Sequence, residues 1–237
     1  VSAGAVAGMG YGEALGHFIA EDGCVLPERA TLTTALSAWA REPTDDPLMP
    51  ARAELLQTMI RNELPAGFHR VVHPHKDFSL TAAAYQTRVP LTVHPGIGYD
   101  IICNNPAANG ATLGRGADTD YRTFAHSVMQ LDGGVFLSVG SAIMAPQVFE
   151  KATSFANNLR RQQGLGPIQP FILVNDLAAI EWDWRKSEPP KDNPAYYLRF
   201  CKSFSRMGGK MVYAGGDNKV LLTNLWAGLR DGTAYDR

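Results

Sequence analysis

The sequence has little cysteine. Its 237 residues include three, Cys24, Cys103 and Cys201. They are far apart and form no Cys-x-x-Cys, which excludes a complete disulfide framework and a thiolate zinc cage. A reducing, cytoplasmic setting is the expectation. An excess of either charge is also lacking: 22 Lys and Arg face 23 Asp and Glu, for a formal net charge of −1. That balance argues against an extended nucleic-acid footprint. No basic amphipathic run suggests a membrane surface, and no apolar stretch approaches the about 20 residues that span a bilayer. The opening, "VSAGAVAGMG", has neither an initiator Met nor the charged front of a signal peptide. Its small residues read as the middle of a longer chain, so one or more upstream strands are expected to be missing.

What is present suits a globular core, with 45% hydrophobic residues. The first third, residues 1–70, reads as mainly helical. "GYGEALGHFIAEDG" places Leu15, Phe18 and Ile19 at helical spacing and stops at Gly23. "PERATLTTALSAWAREP" and "MPARAELLQTMIRNELPAG" each open on a proline suited to a first helical turn and close before another. Residues 71–237 then alternate. "RVVHPHKDF" is a short β-like run broken by Pro74, and "SLTAAAYQTRV" a helix with Ser79 as N-cap. "PLTVHP" reads as a strand, and a helix runs from near Thr119 to Gly133. "VFLSVGS", "PFILVND" and "KMVYAGGD" read as strands, each followed by a helical pattern. Strands alternating with helices predict an α/β fold, a Rossmann-like three-layer sandwich with a mainly parallel sheet. Residues 182–194, "WDWRKSEPPKDNP", form a polar, proline-rich loop, a lid or partner contact or a plain surface loop.

In such a sheet, ligands bind beyond the carboxyl ends of the strands. Four stretches are expected there. After "LTV" come His94, Gly96, Gly98 and Asp100. After "VFLSV" come Gly140 and Ser141, after "FILV" Asn175 and Asp176, and after "MVYA" Gly215, Gly216 and Asp217. Glycines admit positive φ and close backbone approach. "GSAIMAP" leads into a helix start, whose N–H groups and dipole favour phosphate, with the Ser141 hydroxyl beside them. Asp176 first and Asp217 second suit ribose hydroxyls. His94 is the expected general base, because imidazole titrates near neutrality, and Asp100 is its catalytic companion. Each of these residues is also ordinary turn chemistry; four such endings on one edge point to a pocket for a nucleotide or another phosphorylated small molecule.

The familiar fingerprints fail. "GMGYGE" and "GIGYDI" lack the third glycine of a dinucleotide loop. "GSAIMAP" is no Walker loop, and "VGSAI" lacks the second glycine of a nucleophile elbow. A metal-dependent hydrolase is an alternative: His73 and His75 form a His-x-His pair that His94 and Asp100 would complete. A non-catalytic nucleotide or sugar-phosphate sensor is another, since sensors and enzymes share pocket physics. Lys76, Lys202 and Lys210 are phosphate contacts, amine nucleophiles or solvated surface lysines. The apolar helices of the first third favour a homo-oligomer.

One resemblance spans about Lys76 to Trp226. "VPLTVHPGIGYDII", then "GGVFLSVGSAIMAPQVFEKA", then a strand ending in Asn-Asp, then "GGD" and a short helix, resembles a group of poorly characterised bacterial proteins. These look like the deoxyhypusine synthase type of Rossmann-like domain, whose relatives bind NAD. The resemblance implies that fold and an NAD-type cofactor. Members of the group usually carry an upstream Gly-Gly-His segment that this chain does not show. The chain also lacks the Trp-Gly-Lys triplet that holds the synthase's lysine. The resemblance therefore implies neither the deoxyhypusine reaction nor its protein substrate.

Overall fold

The computed structural model describes residues 1–186 and 189–232, and of Arg185 and Arg199 the backbone alone. The chain mixes helices with a parallel sheet, as an α/β class requires. It divides into two compact units, Val1–Phe124 and Ala125–Arg237, whereas the sequence texture changes near residue 70.

The first unit holds helices α1 (Ser2–Ala5), α2 (Tyr11–Ala20), α3 (Arg29–Arg41), α4 (Met49–Arg61) and α5 (Leu80–Thr87). Of the two prolines expected in first turns, Pro50 sits in that of α4, whereas Pro27 precedes Glu28, the N-cap of α3. Ser79 caps α5, its hydroxyl accepting the Ala82 N–H. Two short strands were not legible as a pair, β1 (Gly23–Leu26) and β2 (Gly67–Arg70). They run antiparallel, with Gly23 opposite Arg70 and Leu26 opposite Gly67. Leu26, Leu32, Leu55 and Met59 make the core between β1, α3 and α4. Helix α2 lies close on α5 because Gly16 has no side chain, and Gly12 likewise admits the Leu91 backbone. A Cβ at Gly16 would stand 2.4 Å from the Thr81 carbonyl oxygen.

Helix α6 (Gly110–Met129) starts nine residues before the expected Thr119. Asn109 supplies the start. Its Oδ1 accepts the N–H groups of Ala111 at 3.0 Å and Thr112 at 3.2 Å. The expected strand at 90–95 is absent, and those residues belong to no ladder. The Val93 N–H donates instead to the Asp120 carboxylate at 2.7 Å, a side-chain bond that displaces strand pairing.

The second unit is built on β3 (Val135–Val139), β4 (Phe171–Asp176) and β5 (Lys210–Gly215). The order is β3-β4-β5 and all three are parallel: Val135 pairs with Phe171, and Phe171 with Lys210. Helix α7 (Met144–Gln162) joins β3 to β4, α8 (Arg199–Ser205) precedes β5, and α9 (Asn218–Asp231) follows it. Phe136 of β3 stacks on Phe149 of α7 at 4.0 Å between centroids, and both meet Phe204 of α8. Phe149, Phe204, Ile172 and Val174 are fully buried there. Rings of this size supply most of the apolar burial in a unit this small. In the 182–194 loop, Trp184–Lys186 and Pro194–Tyr197 form single 3₁₀ turns; Ser187 and Glu188 lie outside the described residues.

Candidate functional site

The carboxyl edge of the β3-β4-β5 sheet gathers three of the four expected stretches. Gly140 follows β3 at φ +67°, a left-handed conformation that suits glycine. Its N–H donates to the Asn175 carbonyl at 3.1 Å. A Cβ at this position would stand 2.3 Å from Nδ2 of Asn218, the first residue of α9. Asn175, at the end of β4, is 3% exposed. Its Nδ2 donates to the carbonyls of Ala214 at 2.8 Å and Gly216 at 3.3 Å, which ties the end of β4 to the turn after β5. The Gly216 N–H returns to the Asp176 carbonyl at 3.0 Å. Gly140, Asn175, Asp176, Gly215, Gly216 and Asp217 thus lie on one rim.

Several side chains expected to meet a ligand are engaged locally. The Ser141 hydroxyl accepts the Ala145 N–H at 3.1 Å and so caps α7 from outside. Pro146, next along, has no N–H to offer. Asp176 Oδ1 accepts from Leu177 at 2.7 Å and Ala178 at 3.3 Å, an Asx-type turn. Asp217 is the N-cap of α9, its Oδ1 accepting the Lys219 N–H at 2.7 Å. Oδ1 of Asn175 and Oδ1 of Asn218 are both buried with no hydrogen-bond partner. Asn218 was not singled out in the sequence, although "GGDN" at a helix start is a signal for a polar side chain beside the rim.

Beneath Asp176, the Cys201 thiol is pushed up to about 12 by burial and by the charge of Asp176. The Tyr213 hydroxyl is pushed up to about 12 by burial, then by Cys201 and Asp176. It donates to the Ala178 carbonyl at 2.7 Å. Both groups are protonated near neutrality, so neither acts as a ready nucleophile.

The fourth stretch, His94 to Asp100, lies in the first unit and follows no strand. Its chemistry is largely internal. The Asp100 carboxylate accepts the Gly96 N–H, and the Asp100 N–H returns to the Gly96 carbonyl at 3.1 Å. A Cβ on Gly96 would enter the Tyr99 ring, and Gly98 has φ +100°. His94 Nε2 lies 3.0 Å from Thr92 Oγ1, and its ring meets Phe124 edge-on at 5.5 Å. Burial holds the imidazole below its ordinary value, against the opposing charge of Asp120. Asp120, 3% exposed, accepts the N–H groups of Gly12 at 2.8 Å and Val93 at 2.7 Å. It fastens the 90–93 segment to the start of α2. Nothing in the sequence marks it, because an aspartate inside a helix reads as a solvated face. A cavity of about 800 Å³ lies beside it, lined by Gly8, Gly10, Gly12, Tyr85, Arg88 and Asp120 among others. None of His94, Gly96, Gly98 or Asp100 lines it.

The histidine pair is placed differently from an ion site. His73 donates its backbone N–H to Asp22 Oδ1 at 2.8 Å, and its Nδ1 lies 3.6 Å from the same oxygen. Lys76 reaches Asp22 Oδ2 at 2.8 Å and holds that carboxyl below the usual range, helped by the His73 N–H. His75 stands at the head of the Lys76–Phe78 turn. Among the described residues, no three His, Cys, Asp or Glu side chains are grouped to hold a metal ion. Lys202 lies over the Tyr196 ring at 3.5 Å, and Lys210 is 6.0 Å from the Phe171 ring.

Compared with known proteins, the chain matches no family model, and no curated protein or solved structure is significantly similar to it. Among the described residues no helix is long and apolar enough to cross a membrane.

Proposed function

We propose that the second unit is a Rossmann-like domain of the deoxyhypusine synthase-like type, and that its carboxyl edge binds a nucleotide, NAD-like in class. The observation that carries this reading is Gly140. It sits at the end of β3 with a left-handed φ, pressed against the Asn218 amide where the ends of β4 and β5 also converge. Ligands of parallel sheets lodge at that place. A turn that admits no side chain leaves backbone exposed to a ligand. The starts of α7 and α9 on the same rim add two helix dipoles of the sign that favours an anion. The reading concerns binding and assigns no reaction.

Thermal unfolding with NAD, ADP-ribose and AMP tests it. A ligand present at 100 times its Kd stabilises the fold by about 2.7 kcal/mol, so a clear rise in Tm is expected at millimolar ligand. Gly140→Ala, strained by its φ and its contact with Asn218, is expected to weaken binding at least tenfold. Gly164→Ala has a similar φ of +74° with open space around it, beyond the far end of α7, and leaves the affinity unchanged. No shift with any of the three nucleotides overturns the proposal.

A further inference from the structure

We propose that the free edge of β5 is a peptide-docking site. The partner is a protein segment in extended conformation that adds to the three-stranded sheet as a further strand. It carries an acidic and an apolar side chain two residues apart. The site does not depend on the nucleotide rim.

The register fixes which backbone groups the edge offers. In a parallel ladder one residue sends both its N–H and its C=O to one neighbouring strand, and the next sends both to the other side. Lys210 donates its N–H to the Pro170 carbonyl at 3.1 Å, and Gly216, just past β5, donates to that of Asp176 at 3.0 Å. Lys210, Val212 and Ala214 therefore face β4. Met211 and Tyr213 turn their N–H and C=O groups to the side where the sheet ends. Among the described residues, none of these outward groups has a hydrogen-bond partner.

A cavity of about 430 Å³ lies along this edge. Lys210, Met211, Val212 and Tyr213 line it in succession and no residue of β4 does, which places it beside the strand rather than over a face of the sheet. The rest of the lining is Ile180 and residues 182–184, from the loop whose Trp184–Lys186 turn packs beside β5. Trp184 is 5% exposed, and its indole N–H is buried without an acceptor. Loops commonly cover sheet edges; this one stands over the edge without pairing to it.

An extended peptide supplies the missing partners. Its N–H and C=O groups repeat at about 3.3 Å per residue, the rise of β5 itself, so one segment reaches Met211 and Tyr213 together. The side chains follow from strand alternation. Lys210 and Val212 share one face. The Lys210 ammonium is exposed and forms no ion pair among the described residues, and Val212 is half-buried. Opposite them an acidic and an apolar residue of the partner make the favourable cross-strand pairs.

Calorimetric titration of the full chain with acetyl-Thr-Glu-Thr-Val-Thr-amide and acetyl-Thr-Val-Thr-Glu-Thr-amide tests both strand directions. One of the two is expected to bind with a Kd below about 1 mM. Its N-methylated forms then report on the backbone. In a parallel pairing the Glu and Val nitrogens carry the donors that face β5, and the central Thr nitrogen faces away; in an antiparallel pairing the two sets exchange roles. Methylating one set is expected to weaken binding at least about tenfold, and methylating the other by less than about threefold. Lys210→Glu, at an exposed position, is expected to invert the charge preference, so that the peptide with lysine in place of glutamate becomes the tighter binder. If both methylated forms bind alike, the backbone is not paired and the proposal is overturned. Failure of both peptides to bind also overturns it; a dimer in light scattering then assigns the edge to a second copy of this chain.

Discussion

Asp120 shows how one side chain can override a local pattern. "PLTV" has the alternation and β-branching of a strand, but Asp120 accepts the Val93 N–H and removes it from any ladder. The same carboxylate acts on His94 through its charge. Burial lowers the imidazole's affinity for a proton, and Asp120 works against that. Asp120→Asn keeps an acceptor for the Gly12 and Val93 N–H groups while removing the charge. The expected result is a His94 titration midpoint below the ordinary imidazole value of about 6.5 in the native protein, and lower still in Asp120→Asn. Proton NMR of the imidazole against pH measures both. A group whose folded value is depressed favours its neutral form in the native state. The stability it contributes is therefore complete above the unfolded midpoint and falls away as the pH drops through it. A midpoint that rises in Asp120→Asn, or sits above the unfolded value, contradicts this account of the site.

Elements were legible where apolar runs met firm stops. β3, β4, β5, α7 and α9 lie close to where the sequence reading puts them, because each strand is an unbroken apolar run that glycine or asparagine ends, although only the central β4 is largely buried and the edge strands β3 and β5 are partly exposed. β1 was not legible: "GCVL" is four residues long and has meaning only beside β2. The edge residues Gly140, Asn175 and Gly216 could be read as strand endings. Their hydrogen bonds could not, since Ser141, Asp176 and Asp217 serve local turns and caps that a ligand-centred reading overlooks. Glycines in helices show the same division between pattern and context. Gly16 in α2 and Gly114 in α6 are both helical and both cost about 1 kcal/mol in propensity relative to alanine. A Cβ at Gly114 meets nothing within 4 Å, whereas one at Gly16 meets the Thr81 carbonyl and the Tyr85 Cβ. Gly114→Ala is expected to stabilise by about 0.5–1 kcal/mol. Gly16→Ala is expected to destabilise by about 1–3 kcal/mol as α2 is forced off α5. Urea unfolding midpoints at constant m-value measure the difference in sign; a gain at both positions removes the claim that α2 and α5 pack through glycine.

At the scale of the molecule, each unit has a core of its own among the described residues. Met59 is fully buried with Leu26, Leu32 and Leu55 in the first unit, and Phe149 is fully buried with Phe136 and Phe204 in the second. No residue serves both sets, and each unit is of the size at which a domain folds on its own core. Calorimetry is therefore expected to give a total enthalpy larger than the van't Hoff value of either step, the mark of more than one cooperative unit. Met59→Ala should cost about 2–5 kcal/mol and Phe149→Ala about 3–5 kcal/mol through lost burial and the cavity left behind. For units of this length, each kcal/mol moves Tm by roughly 3–5 °C, so each substitution should shift its own transition by on the order of 10 °C. Nucleotide added to the same samples should raise only the transition that Phe149→Ala lowers, because the proposed rim is built from the second unit alone. A single transition, moved equally by both substitutions and by nucleotide, would mean that the two cores act as one cooperative body.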